Sequence, residues 1–223
     1  MVKEVLSPFS AVNGGERFKG LDCVMSFTPD IHKDERGLFY EDYTPDGMAG
    51  TFDTMGWCKQ INCSWSKENV FRGFHAQNAN CCQGKLIECV KGSIYDIIID
   101  MRENSESFGH SAGFVLDESN HRQLWVPRGF LHGFWSMKND SVIMYKCDAE
   151  YSKVNSISVE PYSCLDTFFS SGSYAIDDII ILDALRRNRK LLLSEADKGG
   201  RSYSVFASEI LEKYNNTGKH WYN

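Results

Sequence analysis

Side chains that move protons near neutral pH are spaced along this chain in strand-like settings. His75 lies in "NVFRGFHAQ" (69–77). An imidazole is the usual proton-transfer group at neutral pH, and a core histidine satisfied by a backbone carbonyl is the structural alternative. A metal at this point would need a second ligand two residues on. Gln77 stands there, so no metal is expected. Lys85 opens the apolar run "KLIECV"; pointing inward it would be a cation able to hold an oxyanion, and pointing outward an ordinary solvated lysine. "IMYKCDAEY" supplies Tyr145 and Tyr151, six apart and therefore on one side of a continuous strand. A tyrosine facing a substrate carbon can donate a proton; otherwise it packs and satisfies its hydroxyl. His132 in "WVPRGFLHGFW" fits either a structural hydrogen bond or a polar group of a pocket. Arg36 in "DERGLFYED", near Glu41, carries a fork of donors suited to phosphate, with a surface ion pair as the alternative. Asp197 in "LLLSEAD" is either a solvated helix-end acid or a carboxylate that returns to the site.

These residues need a frame, and residues 20 to 160 read as a β frame. "LDCVMSF", "GKLIECV", "SIYDIIID", "SAGFVLD", "RQLWVP" and "VIMYKC" are rich in β-branched and aromatic residues, with Gly, Asn, Asp and Pro between them. Many short strands at close spacing predict an antiparallel sandwich or barrel rather than a parallel α/β sheet. After residue 160 helix formers take over, in "IDDIIILDALRRNRKLLLSEAD" and "SVFASEILEKYNN", with Asp177 or Ser204 as caps. The expected organisation is one domain over residues 1–200, with a C-terminal helix and tail over 201–223. The last stretch, "NNTGKHWYN", is expected to be a mobile tail.

Bulk properties narrow the function. The 223 residues are 42% hydrophobic and 24% charged, ordinary for a soluble domain. A net charge of -6 argues against wrapping nucleic acid but allows a local cationic pocket for an anionic small molecule. The eight cysteines form no CxxC pair and no Cys/His ligand spacing. They are expected to be reduced, in a cytoplasm. There is no apolar signal core at the start and no run long enough to span a membrane.

Taken in order, "DERGLFYE" (34–41), "QINCSWS" (60–66), "FRGFHAQ" (71–77), "QGKLIECVKGSIYDIIIDMRENSESFG" (83–109), "RQLWVPRGFLHGF" (122–134), "MYKCDAEY" (144–151) and "LSEAD" (193–197) resemble the dTDP-4-dehydrorhamnose 3,5-epimerase family. The resemblance is close over residues 18 to 152 and looser to about 200. It implies a mainly β, cupin-type jelly-roll barrel with short C-terminal helices. It implies a homodimer exchanging N-terminal strands, a nucleotide-diphosphate keto sugar as substrate, and no metal or cofactor. By the same resemblance His75 is the base, Tyr145 the acid on the opposite ring face, Lys85 the group facing the enolate oxygen, and Asp197 the carboxylate that orients His75. Arg36 and Arg72 hold the diphosphate, with His132 a further substrate contact. Phe39, Glu41, Gln60 and Asn62 line the nucleotide end, and Tyr151 stacks on the base. The expected activity is inversion at C3, C5 or both carbons of a 4-keto-6-deoxy sugar, in surface-polysaccharide or deoxysugar biosynthesis. The alternatives are a 3,4-ketoisomerase and a non-catalytic sugar-nucleotide-binding cupin. The chain departs from the family pattern in "YSKVNSISVEPYSCLDTFFSSG" after Tyr151, and in Ala196, where the family usually has lysine.

Overall fold

The structure, a computed structural model, describes residues 9–12, 15–18, 20–43, 58–78, 81–175, 178–188 and 190–222, with backbone only for 9–12, 15–18 and 22. Two antiparallel sheets face each other. The larger runs in the order β1 (Phe9–Val12), β2 (Gly15–Phe18), β3 (Leu21–Phe27), β11 (Gln123–Val126), β8 (Lys85–Lys91), β13 (Ser141–Cys147) and β6 (Gln60–Ser66). The smaller runs β10 (Ser111–Asp117), β9 (Ser93–Asp100), β12 (Phe130–Ser136), β7 (Phe71–Gln77) and β14 (Ser156–Ser158). β4 (Ile31–Asp34) and β5 (Gly37–Tyr40) form a separate hairpin. This interleaved order gives the antiparallel architecture that the alternating segments predict, in the mainly β, cupin-like form that the resemblance implies.

Between the sheets lies an apolar core that includes Val24, Ile87, Ile98, Leu124, Phe130, Phe134 and Ile143. A second core lies on the outer face of the smaller sheet. There Phe71, Phe74, Tyr95, Ile97, Ile99 and Leu131 pack against Cys164, Leu165 and Phe168 of α1 (Pro161–Ser171), Leu182 and Leu185 of α2 (Ile179–Arg187), and Phe206 and Ile210 of α4 (Tyr203–Thr217). β9 is therefore buried on both faces, which is why "SIYDIIID" reads as a nearly continuous apolar run instead of an alternation.

Three expectations for the C-terminal third change. α1 falls inside the departing stretch and was not anticipated. Its start is nonetheless chemically marked: Pro161 occupies the first turn and the Glu160 carboxylate accepts from the backbone N–H groups of Tyr162 and Ser163. α4 is capped by Ser202, not by Ser204, which lies within the helix; Asp177 lies outside the described residues. The expected mobile tail is docked. Trp221 is buried in the second core and its indole N–H donates to the Met101 carbonyl at 2.6 Å. An indole offers a large apolar area together with a hydrogen bond, and this pair of gains overrides the polar composition of "NNTGKHWYN".

Candidate active site

His75 reaches the barrel interior through a fault in β7. Regular alternation would send Arg72 and His75, three apart, to opposite faces. The register with β12 slips here, so that Arg72 pairs with Phe134 while His75 pairs with His132. Two residues of β7 thus oppose one of β12, which is a β-bulge. Gly73 carries it, with φ of +118°. Phe71, Phe74 and Ala76 keep the outward face and join the second core, while Arg72, His75 and Gln77 line a cavity of about 430 Å³.

The cavity has two walls. From the smaller sheet come Arg72, His75, Gln77, His132 and Phe134; from the larger come Asn62, Lys85, Tyr145 and Cys147. Tyr145 and His75 thus face one space from opposite sheets. Beyond them lie Tyr151, Ser156, Ser158, Ser194, Ala196 and Asp197.

His75 Nε2 is 2.5 Å from Asp197 Oδ1. The His75 ring is 43% exposed while the Asp197 side chain is 3% exposed, so the imidazole meets the cavity and the carboxylate stands behind it. An ionised carboxylate only accepts hydrogen bonds, so in the neutral imidazole Nε2 carries the proton and Nδ1 the lone pair. Asp197 is itself held. Ser194 Oγ donates to Oδ2 at 2.8 Å and Ser158 Oγ to Oδ1 at 3.4 Å. Ser194 also caps α3 (Glu195–Lys198), accepting from the Asp197 backbone N–H at 3.1 Å. Burial alone would raise the Asp197 pKa; hydrogen bonds from His75 and Ser194 outweigh it, and the pKa is lowered. The segment carrying Asp197 is tied to the smaller sheet at both ends, by Phe71 N–H to the Leu192 carbonyl at 3.1 Å and Glu160 N–H to the Arg201 carbonyl at 2.8 Å.

Lys85 projects inward, and burial pulls its ammonium below the ordinary lysine value. Burial pushes the Tyr145 phenol up, against a hydrogen bond with Ser64 at 3.2 Å. His132 sits beside His75 and its Nε2 is 2.7 Å from the wholly buried Asp96. Neither Asp96 nor the serines around Asp197 had been singled out in the sequence. Asp96 was visible as an acid in the middle of an apolar strand.

The remaining expected residues divide. Arg72 lines the cavity, braced by Ser66 Oγ at 3.0 Å and the Trp65 carbonyl at 2.9 Å. Asn62 also lines it. Gln60 braces the wall instead: its carbonyl accepts from Tyr151 N–H at 2.7 Å and its amide donates to Asn62 Oδ1 at 2.7 Å. Tyr151 stands at the mouth, but not for the reason expected. β13 ends at Cys147, so Tyr151 is placed by the following loop and by Gln60 rather than by strand alternation. Arg36, Phe39 and Glu41 do not reach this chain's cavity. They are exposed on or just after the β4–β5 hairpin, where Arg36 pairs with Asp34 at 2.5 Å. The hairpin bounds an open hollow of about 480 Å³ lined by its own residues, including Arg36 and Phe39.

Among the described residues no group of three or more His, Cys, Asp or Glu side chains is placed to hold a metal ion, and all eight cysteines are free. Among those residues no helix is long and apolar enough to cross a membrane.

Comparisons with known proteins bear on the family and the fold. The family model described as dTDP-4-dehydrorhamnose 3,5-epimerase matches residues 19–166. The dTDP-4-dehydrorhamnose 3,5-epimerase of Mycobacterium tuberculosis is 39% identical over 125 residues, 56% of this chain and 62% of that protein. The match therefore spans less than two thirds of that relative. The Methanothermobacter thermautotrophicus protein of the same description is 31% identical over 176 residues, 77% of this chain and 91% of that protein. Among solved structures, the Legionella pneumophila epimerase in complex with dTDP-4-keto-L-rhamnose superposes with a TM-score of 0.71 at 29% identity, covering 84% of this chain and 92% of that one. The Elizabethkingia anophelis enzyme gives 0.67 at 34%, covering 82% and 92%. A family model matched across most of the barrel, on a fold shared with those structures, establishes that the chain belongs to the dTDP-4-dehydrorhamnose 3,5-epimerase family.

Proposed function

We propose that this protein epimerises a nucleotide-diphosphate-linked 4-keto-6-deoxy sugar, at C3, C5 or both, through an enolate. The observation that carries the reading is a histidine backed by a carboxylate and a tyrosine, facing one cavity from opposite sheets. The proton beside a ketone is acidic because the enolate spreads its charge onto oxygen. His75 Nδ1 takes that proton, and Asp197 favours the resulting imidazolium. The Lys85 ammonium meets the developing oxyanion in a cavity of low dielectric, an effect on the order of ~3–4 kcal/mol for one good donor. Tyr145 returns a proton to the other ring face, which inverts the carbon. Only protons are exchanged, so the reading calls for no cofactor. Arg72 takes the diphosphate, His132 and Asn62 contact the substrate, and Tyr151 stacks on the base at the mouth. The names of the related proteins point to a dTDP-linked substrate.

The working unit in this reading is a cytoplasmic homodimer, in which Arg36, Phe39 and Glu41 serve the cavity of the partner. Support comes from their exposure on the hairpin, and from Ile61 and Trp65, which are 62% and 65% exposed on the outer face of β6.

The test is deuterium uptake from heavy water beside the keto group of a dTDP-linked 4-keto-6-deoxy sugar, with NMR of the product. Uptake with inverted configuration is expected, lost in His75→Ala. Exchange at the wild-type rate in His75→Ala would refute the base assignment. A product whose carbonyl has migrated to C3 would replace epimerisation with ketoisomerisation.

A further inference from the structure

We infer that Ser64 is the proton-relay partner of Tyr145, donating to the phenolate and passing on a replacement proton from solvent. This rests on the epimerase reading above. Tyr145 gives its proton to carbon, so each turnover leaves a phenolate inside the barrel. An unpaired anion there is costly, and a second turnover needs the proton back. The phenol therefore requires a donor at the moment of transfer and a path to water afterwards.

Ser64 is placed for both. Its Oγ lies 3.2 Å from Tyr145 Oη and is the phenol's hydrogen-bond partner among the described residues. β6 is inverted relative to an ordinary half-buried strand: the apolar Ile61 and Trp65 are exposed on one face with Cys63, while the other face carries Asn62, exposed at the cavity, Ser64, half-buried, and Ser66, buried. The two polar neighbours have other duties. Asn62 Oδ1 accepts from Gln60 and Ser66 Oγ accepts from Arg72. Ser64 is left to the phenol. It is half-buried on the outer strand of its sheet among the described residues. A hydroxyl that is one donor and two acceptors can give its proton inward while taking another from water.

The step balances. The enolate electron pair forms the new C–H bond as the Tyr145 O–H bond breaks. The Ser64 proton then moves to the phenolate as a water proton moves to Ser64, and the hydroxide so formed is neutralised by the proton that His75 releases. The proton taken by His75 leaves to solvent, so no net charge is gained.

The experiment compares the full-length wild type with Ser64→Ala, Ser64→Thr and Tyr145→Phe in heavy water, on a dTDP-linked 4-keto-6-deoxy sugar. Exchange at the ring carbon with retention reports His75, and inversion reports Tyr145. The ratio of inversion to exchange should fall about tenfold or more in Ser64→Ala and return to within about threefold of wild type in Ser64→Thr. Tyr145→Phe should show the extreme of the same pattern. An unchanged ratio in Ser64→Ala, or no recovery in a Ser64→Thr protein with wild-type circular dichroism, would overturn the relay. Wild-type exchange in His75→Ala would instead overturn the epimerase reading beneath it.

Discussion

Gly73→Ala probes the bulge that turns both Arg72 and His75 into the cavity. Gly73 has φ of +118°, a region that L-residues rarely enter. A Cβ at this position would stand 2.6 Å from Gly133 Cα and 2.7 Å from the His132 carbonyl oxygen. Both are backbone atoms of the neighbouring strand, so no side-chain rotation relieves the contact. Backbone strain of this kind costs about 1–3 kcal/mol and overpacking a further ~1–3, so the substitution should remove roughly 2–6 kcal/mol of stability. That is a large part of the ~5–15 kcal/mol that a domain of this kind holds. Gly20→Ala separates the two effects. Gly20 has φ of +88° with nothing among the described residues within 4 Å of a Cβ, so it should lose only the backbone contribution, about 1–2 kcal/mol. Urea unfolding of the two variants and the wild type measures the difference. If β7 instead yields to make room, stability is regained at the expense of the alignment of His75 with Asp197, and kcat falls in the folded protein. Gly73→Ala matching Gly20→Ala in stability, with kcat unchanged, would refute the close strand contact and the role given to the bulge.

Three further outcomes are expected. Asp197→Asn should place an amide donor against His75 Nε2, forcing the other tautomer and occupying Nδ1 with a proton; kcat/KM should fall by ~10²–10⁴ with little change in the unfolding midpoint. Trp221→Ala should cost about 3–5 kcal/mol in urea unfolding, because a buried indole is removed from the second core, while a truly mobile tail would cost nothing. Glu88, buried on the outer face of the larger sheet, is raised from 4.5 to about 7 by burial first and the nearby Asp42 next, against a hydrogen bond from Tyr40 and the Lys146 charge. The folded state then keeps a proton that the unfolded state releases, so this group lowers stability as pH rises from about 4.5 to about 7 and is flat above. Glu88→Gln should remove that slope, as read from unfolding midpoints across pH.

The strands were legible because each carries its own pattern. Alternating or fully apolar runs bounded by Gly, Asn, Asp and Pro define β3, β8, β9, β10, β11 and β13 without reference to anything distant. Lys85, His75, His132 and Tyr145 could be picked out as residue types able to do chemistry. α1 was legible in principle, from Glu160–Pro161 and the apolar spacing of Cys164, Leu165 and Phe168, and was passed over because the stretch departs from the family pattern. The departing stretch both covers the barrel, through α1, and lines its cavity, through Ser156 and Ser158.

Local pattern says which face a side chain takes, but not what stands opposite. Asp197 lies 122 residues from His75, and its sequence context is that of any helix-end acid. Only the pairing of the segment after α2 with the chain beside β7 and β14, at Leu192 and Arg201, brings it behind the imidazole. The slip at Gly73 is likewise a property of two strands and not of one. Without its partner β12, "FRGFHAQ" predicts Arg72 and His75 on opposite faces. Tyr151 and the docked Trp221 make the same point: a loop and a tail take their positions from contacts elsewhere in the chain. Composition and alternation thus determined a β barrel and its candidate proton-transfer groups. The tertiary structure decided which of them meet, because the energy of burying and pairing them depends on neighbours that are distant in sequence.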